Sequence, residues 1–161
     1  MKHASRTDHS STSTHYPHLA VMTVLSFVAM FALMYAMVDR LANVYVNGNQ
    51  AYMAALMTAA MVLIELGIMR AMYQNKRLNI ILVAVSLVVL AGSWLLIRQQ
   101  TAISDRQFLR SMIPHHVGAI LMCEQAPIED ISIKRLCEGI IRSQQAEIDL
   151  MKAKLGELSA R

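Results

Sequence analysis

The chain has 161 residues, of which 55% are hydrophobic, with a formal net charge of +4 and a pI of about 9.3. The apolar residues are concentrated between positions 19 and 97 and both ends are polar, which excludes a single soluble core. The positive charge forms no basic run and no alternation of basic with aromatic residues, so nucleic acid is excluded as a partner.

The polar N-terminus is followed by three apolar runs. We expect residues 1–18 to form a disordered tail, because Ser, Thr and His dominate it. The runs cover residues 19–38, 52–73 and 78–97; the first and third are uncharged, and the second contains Glu65. A helix needs about 20 apolar residues to cross a bilayer. The sequence therefore predicts an all-α protein with three transmembrane helices in a lipid bilayer within residues 19–97.

The distribution of basic residues predicts the orientation in the membrane. The tail is basic, and the second connection carries Lys76 and Arg77, whereas the first connection, residues 39–51, has only Arg40. The positive-inside rule then puts the N-terminus in the cytoplasm and residues 98–161 outside. The first apolar run is longer than the about 7–15 residues of a signal peptide, so we expect an uncleaved anchor. This predicts a bacterial inner-membrane protein with a periplasmic C-terminal domain.

The C-terminal domain has the start and stop signals of two helices. Ser104 and Gln107 have the spacing of a capping box, which predicts a helix that begins there. Pro127 marks a break, and Asp130 is a suitable N-cap for a second helix that ends near Leu155. Two helices joined by a short loop form an antiparallel hairpin.

Side chains that bind soft metals occur on both helices of this hairpin. If the chain turns near residues 128–131, residues whose numbers sum to roughly 260 lie level with one another. The side chains that can then converge, by this register and helical spacing, are His115, His116, Met112, Glu147 and Met151, with Gln144 and Met122 as further candidates. Imidazole and thioether groups suit copper, and thioethers favour Cu(I). From spacing alone, histidines that line a helix bend at Pro114 and methionines that fill a core are an equal alternative.

Cys123 and Cys137 are level with each other by the same rule. In an oxidising compartment we expect them to form a disulfide. The bond would close a loop of about 15 residues and stabilise the hairpin by about 3 kcal/mol in the chain-entropy model. A pair of thiolate copper ligands and two buried free cysteines are the alternatives.

Structural interpretations are favoured for the remaining notable residues. Glu65 lies inside an apolar run, where a charged side chain costs about 2.5–3.5 kcal/mol, so it should face protein. We favour a protonated, hydrogen-bonded carboxyl over an ion or proton site. The chain has 13 methionines, and those of the spans are interpreted as helix packing rather than a copper path. The tail histidines, His15 and His18 among them, are interpreted as solvated, and the asparagines of the first connection receive no function.

The segments DRQFLRSMIPHHVGAILM and IIRSQQAEIDLMKAKL resemble a bacterial family known as domain of unknown function 305. The resemblance covers residues 105–155. It implies a ferritin-like helical bundle and periplasmic copper binding, with metal contact at Met112, His115, His116, Glu147 and Met151. Family members often carry two such hairpins, whereas this chain has one. A complete four-helix bundle would therefore require a homodimer.

The function predicted from these observations is copper binding in copper tolerance or homeostasis by a membrane-anchored periplasmic hairpin. Copper is expected as Cu(I), and other transition metals stay open. No nucleophile with an adjacent base and orienting group is visible, so we do not predict an enzyme. Two alternatives are kept: a dimeric, metal-dependent redox enzyme, and a structural or regulatory membrane subunit whose hairpin docks a partner.

Overall fold

The computed structural model describes residues 15–160, and all regular structure in this range is helical, which confirms the all-α class. The elements are helices α1 (His15–Leu33), α2 (Gly48–Ile68), α3 (Lys76–Gln99), α4 (Asp105–Gln125) and α5 (Ile131–Ser159), with one 3-10 turn at Leu41–Asn43. Most of the predicted tail, residues 1–14, lies outside the described residues.

Helices α1, α2 and α3 are long and apolar enough to cross a membrane, which confirms the three expected spans. Their bounds differ from the apolar runs. α1 begins at His15, so His15 and His18 lie in its first turn and not in the tail. Proline is tolerated in a first helical turn, which explains why Pro17 does not delay the helix. The hydroxyl of Tyr16 donates to Asn79 Oδ1 at 2.9 Å, and this contact joins the first described turn of α1 to α3.

The described chain divides into two compact units. The membrane unit comprises the chain up to Met30 together with Met53–Arg98, and the hairpin unit comprises Phe31–Tyr52 together with the chain from Gln99 onward. The first connection between the spans thus belongs with α4 and α5. The sequence predicted that the C-terminal domain begins at residue 98. That single boundary does not include Phe31–Tyr52, which belongs to the hairpin unit.

In the membrane unit, the buried core is small. It is formed by Leu19 of α1, Val62 and Leu66 of α2, and Tyr73 of the following turn, with Leu82 of α3 packed against it. Many other apolar side chains of the spans are exposed. A surface of this kind requires lipid rather than water as its surroundings.

In the hairpin unit, both helix starts are capped as the sequence predicted. Ser104 Oγ accepts a hydrogen bond from the backbone N–H of Gln107. Asp130 Oδ1 accepts from the backbone N–H groups of Ser132 at 2.7 Å and Ile133 at 3.1 Å. The first capping box is incomplete, because the side chain of Gln107 accepts from the backbone N–H of Gly48 instead of returning to Ser104.

The hairpin core is continuous with the first connection. Its buried members come from α4 and α5: Ile113, Val117, Ile148, Met151 and Leu155. Val38 and Tyr45 of the connection pack against this cluster. α4 and α5 therefore pack against each other and, in addition, against residues that precede α2.

Candidate metal centre

His116 of α4 and Glu147 of α5 are in hydrogen-bonding contact across the hairpin. Nε2 of His116 lies 2.7 Å from Oε2 of Glu147. The histidine is buried, with 6% of its surface exposed, whereas about half of the Glu147 side chain is exposed. The pair therefore lies at the edge of the hairpin core, open to solvent through the carboxylate.

The second ring nitrogen fixes the orientation of His116. Nδ1 lies 2.9 Å from the backbone carbonyl oxygen of Met112. A carbonyl oxygen only accepts hydrogen bonds, so Nδ1 carries a hydrogen and donates it. Nε2 is then the nitrogen directed at Glu147, and a hydrogen bond between Nε2 and Oε2 requires a hydrogen on one of these two atoms. A ligating histidine is commonly held in this way, with one nitrogen donating to a backbone carbonyl and the other facing the metal.

Two thioethers lie beside the pair. Met151 is buried in the hairpin core, and Met112 is partly buried and packs against the same cluster. Met112 is one helical turn before His116, and Met151 is one turn after Glu147. The two methionines are thus in the hairpin core one helical turn from the pair, toward the same end of the hairpin. Both methionines also serve as core side chains in this arrangement.

Three other candidates lie apart from the pair. His115 is exposed, and its ring centroid lies 6.2 Å from that of His116 with the rings inclined at 63°. Met122 is 56% exposed toward the other end of α4. Gln144 lies one turn before Glu147, and its Oε1 atom is buried without a hydrogen-bond partner in the described chain. An unpartnered oxygen at this level is a further potential donor atom for a cation.

Within residues 15–160, no three His, Cys, Asp or Glu side chains come close enough to form a metal site by themselves. The donors near His116 fit a soft ion nonetheless, because the additional groups are thioethers. One imidazole, one carboxylate and two thioethers resemble the donor sets that hold copper more than those that hold magnesium or calcium.

Cys123 and Cys137 are joined as a disulfide, with their Cα atoms 5.3 Å apart. The bond links the end of α4 to the start of α5, next to the loop of the hairpin. In this state neither sulfur is a thiolate ligand. The disulfide instead holds the two helices in the register that sets His116 opposite Glu147.

Sequence reasoning missed the role of the first connection. Asn43 is buried, accepts a hydrogen bond from Lys152 Nζ of α5, and donates to Asp39. Desolvation raises the pKa of Asp39, but hydrogen bonds from Asn43 and Arg40 outweigh it and hold the pKa below its usual range. The feature of the sequence that could have indicated this role is the high density of amide side chains in the first connection.

A second set of polar contacts joins the start of α2 to α4. Gly48 N–H donates to Gln107 Oε1 at 3.0 Å, and Asn49 Nδ2 donates to Ser111 Oγ at 3.4 Å. The Cβ and Cε atoms of Met37 lie 3.5 Å from the position that a Cβ atom would occupy on Gly118. Residues 37–49 therefore form a surface against which the hairpin packs.

Glu65 is placed in the membrane unit, as expected from its position in an apolar run. The hydroxyl of Tyr73 donates to Glu65 Oε1 at 3.2 Å, so the carboxyl group faces protein on at least one side.

Comparison with known proteins gives two results. A family model described as "Domain of unknown function (DUF305)" matches residues 95–155, which include α4 and most of α5. An uncharacterized protein of Acanthamoeba polyphaga mimivirus is 30% identical over 142 residues, covering 86% of this chain and 91% of the viral protein. No solved structure matches the chain significantly.

Proposed function

Because the chain belongs to the family described as domain of unknown function (DUF305), we propose that its hairpin unit is a membrane-anchored copper-binding domain for copper tolerance or homeostasis. The observation that carries the proposal is the contact of 2.7 Å between His116 Nε2 and Glu147 Oε2. Nδ1 of the same ring is held by a backbone carbonyl, so the ring presents Nε2 in a fixed direction. A copper ion would replace the hydrogen between Nε2 and Oε2 and take both atoms as ligands.

The neighbouring side chains support copper over harder metals. Met112 and Met151 supply thioethers, which are soft ligands that favour Cu(I). Glu147 is the single carboxylate at this level, whereas ferritin-like iron sites use several. Copper held here would be a cargo or a resident ion, and in either role the same residues would bind it.

We further propose that two hairpin units associate as a homodimer. Phe108, His115 and Met122 are spaced by seven residues on one face of α4, and Phe108 and Met122 are 49% and 56% exposed. Leu136 and Leu150 of α5 are 61% and 60% exposed. A second hairpin covering these apolar side chains would complete a four-helix bundle and bring more donors to the site.

The proposed location is the outer side of a bacterial inner membrane, with the N-terminus in the cytoplasm. The disulfide between Cys123 and Cys137 supports an oxidising, extracytoplasmic compartment for the hairpin. The basic residues of the second connection, Lys76 and Arg77, support the same orientation. Because one relative is viral, family membership by itself leaves the source membrane open.

The test is a titration of the detergent-solubilised full chain with Cu(I) against a chromophoric chelator. Wild type is compared with His116→Ala and Glu147→Gln. The control is Glu138→Gln, the same change at another exposed position of α5. We expect His116→Ala to weaken Cu(I) affinity at least about tenfold, and Glu147→Gln to weaken it less, since losing a ligand or its support costs about 10–100-fold.

The stoichiometry per chain separates a site within one hairpin from a site shared by two. Equal Cu(I) affinity in wild type, His116→Ala and Glu147→Gln would overturn the copper proposal. The pair would then be a buried polar contact of the hairpin core, and the hairpin would be better explained as a docking module. Turnover of bound Cu(I) with oxygen would instead support the redox-enzyme alternative.

A further inference from the structure

A second group of metal-binding side-chain types lines a cavity of about 520 Å³ in the membrane unit. On the side of α1 the cavity is lined by His15, His18 and Met22. On the opposite side it is lined by Glu65 of α2 and by Met72 of the turn that follows. The cavity lies at the end of the unit where α1 begins and α2 ends, so its imidazoles are near the polar boundary of the spans.

We propose that this cavity binds a soft monovalent metal ion of the Cu(I) class, independently of the hairpin. The first argument is the free-energy cost of a charged Glu65 side chain in a membrane span. A charged carboxyl in a span is retained where it faces a partner, and such residues commonly mark ion pathways. Tyr73 donates to Oε1 of Glu65 at 3.2 Å, and Glu65 also lines the cavity, so a cation in the cavity would be a further partner of this carboxyl group.

The second argument is the chemistry of the lining. Thioethers, imidazoles and one carboxylate occur together, and thioethers select soft ions over sodium, magnesium or calcium. Met22 also packs against the core that contains Leu19 and Tyr73, so one of the two methionines lies between that core and the cavity. The ring of His15 lies edge-on to the ring of Tyr73, with centroids 6.5 Å apart, so an imidazole lies beside the residue whose hydroxyl contacts Glu65.

The lining residues do not converge on one point in the described chain, since no three His, Cys, Asp or Glu side chains form a site there. Binding therefore requires a change of side-chain conformation. Methionine is unbranched and has three rotatable bonds, so Met22 and Met72 can swing toward an ion at little cost. Met72 is partly exposed and free of tight core packing, which favours this movement.

The experiment uses the full chain in lipid nanodiscs and Cu(I) as the probe. His116→Ala/Glu147→Gln removes the proposed hairpin site and serves as the background. In this background we expect about one Cu(I) per chain to be retained against the chelator. Adding Met22→Leu/Met72→Leu should weaken the retained affinity at least tenfold and remove sulfur scattering from the copper X-ray absorption spectrum.

Two control variants distinguish the cavity from methionines and histidines elsewhere in the chain. Met53→Leu/Met57→Leu makes the same chemical change on α2, at side chains that do not line the cavity, and should leave uptake unchanged. Leucine replaces methionine with nearly equal volume, so the fold should persist, which circular dichroism in nanodiscs checks. His3→Ala/His9→Ala removes tail imidazoles and should also have no effect.

The proposal is overturned if the background retains no Cu(I), or if the cavity and control methionine pairs have equal effects. It is independent of the hairpin proposal. If the hairpin does not bind copper, wild type and background take up equal amounts, and only the cavity variants change that uptake. If the cavity does not bind copper but the hairpin does, wild type takes up Cu(I) and the background variant takes up none.

Discussion

His116 Nε2 and Glu147 Oε2 lie 2.7 Å apart, although the two residues are separated by 31 positions in the sequence. They meet because α4 and α5 run antiparallel and the disulfide between Cys123 and Cys137 holds their register. The carbonyl of Met112 fixes the other ring nitrogen. The contact thus depends on three separate features of the hairpin.

Copper binding at this pair should release a proton, because the ion replaces the hydrogen between Nε2 and Oε2. We expect about one proton per ion bound, and weaker binding at lower pH. Calorimetric titrations in buffers of different ionisation enthalpy measure the number of protons. His116→Ala should abolish the release that is coupled to tight binding. Tight binding without any proton release would contradict the role assigned to the pair.

Replacing Lys152 should destabilise the hairpin unit more than replacing Lys154. Lys152→Ala removes the donor to the buried Asn43, and an unsatisfied buried polar group costs about 1–3 kcal/mol. Lys154 pairs with Glu157 on the surface, where both side chains are more than half exposed, so Lys154→Ala should cost less than about 1 kcal/mol. Urea unfolding of the solubilised proteins, followed by circular dichroism, compares the two. Equal midpoints would show that the contact between Lys152 and Asn43 does not stabilise the hairpin unit.

Loss of the disulfide should lower the free energy of unfolding of the hairpin. The cysteines are 14 positions apart, and cross-linking a loop of this size contributes about 3 kcal/mol in the chain-entropy model. We expect Cys123→Ser/Cys137→Ser to reduce the urea midpoint and to weaken copper affinity, since the register of α4 and α5 loosens. Wild type reduced with dithiothreitol also lacks the disulfide and is the matched comparison for the double variant. An unchanged midpoint in both would show that the helices need no such link.

The start of α5 should depend on pH through Asp130. Hydrogen bonds from the Ser132 hydroxyl and from the backbone N–H groups of Ile133 and Ser132 hold the pKa of Asp130 below its ordinary value of 3.8. A lowered pKa in the folded state stabilises the helix start above about pH 4. This stabilisation is lost as the pH falls through the folded-state value.

The measurement is amide hydrogen exchange at residues 132–135 between pH 3 and pH 6, corrected for the intrinsic exchange rate. Wild type should lose protection at the acid end of this range. Asp130→Asn keeps a good N-cap without a titrating group, so its protection should vary less with pH. Asp130→Ala should be poorly protected at every pH. The same acid-dependent loss in Asp130→Asn would assign the effect to another group.

The helices themselves follow from local physical chemistry. Apolar runs of the required length predicted the three spans, because a helix that crosses lipid must be apolar along most of its length. Ser104 and Asp130 predicted the starts of α4 and α5, because a cap acts within three residues of its own position. The inclusion of residues 15–18 in α1 was missed, since the contact made by this turn joins Tyr16 to Asn79, far along the chain.

The sequence by itself determined the helices, the two cysteines on one level, and the side chains that can share a metal. Only the tertiary structure decided that His116 rather than His115 faces Glu147, because neighbouring helical residues point about 100° apart and sequence gives no rotation of one helix against another. It also decided that residues 37–49 support the hairpin and that Glu65 shares a cavity with His15 and Met22. These contacts join residues distant in sequence, and their geometry arises from packing that no local pattern encodes.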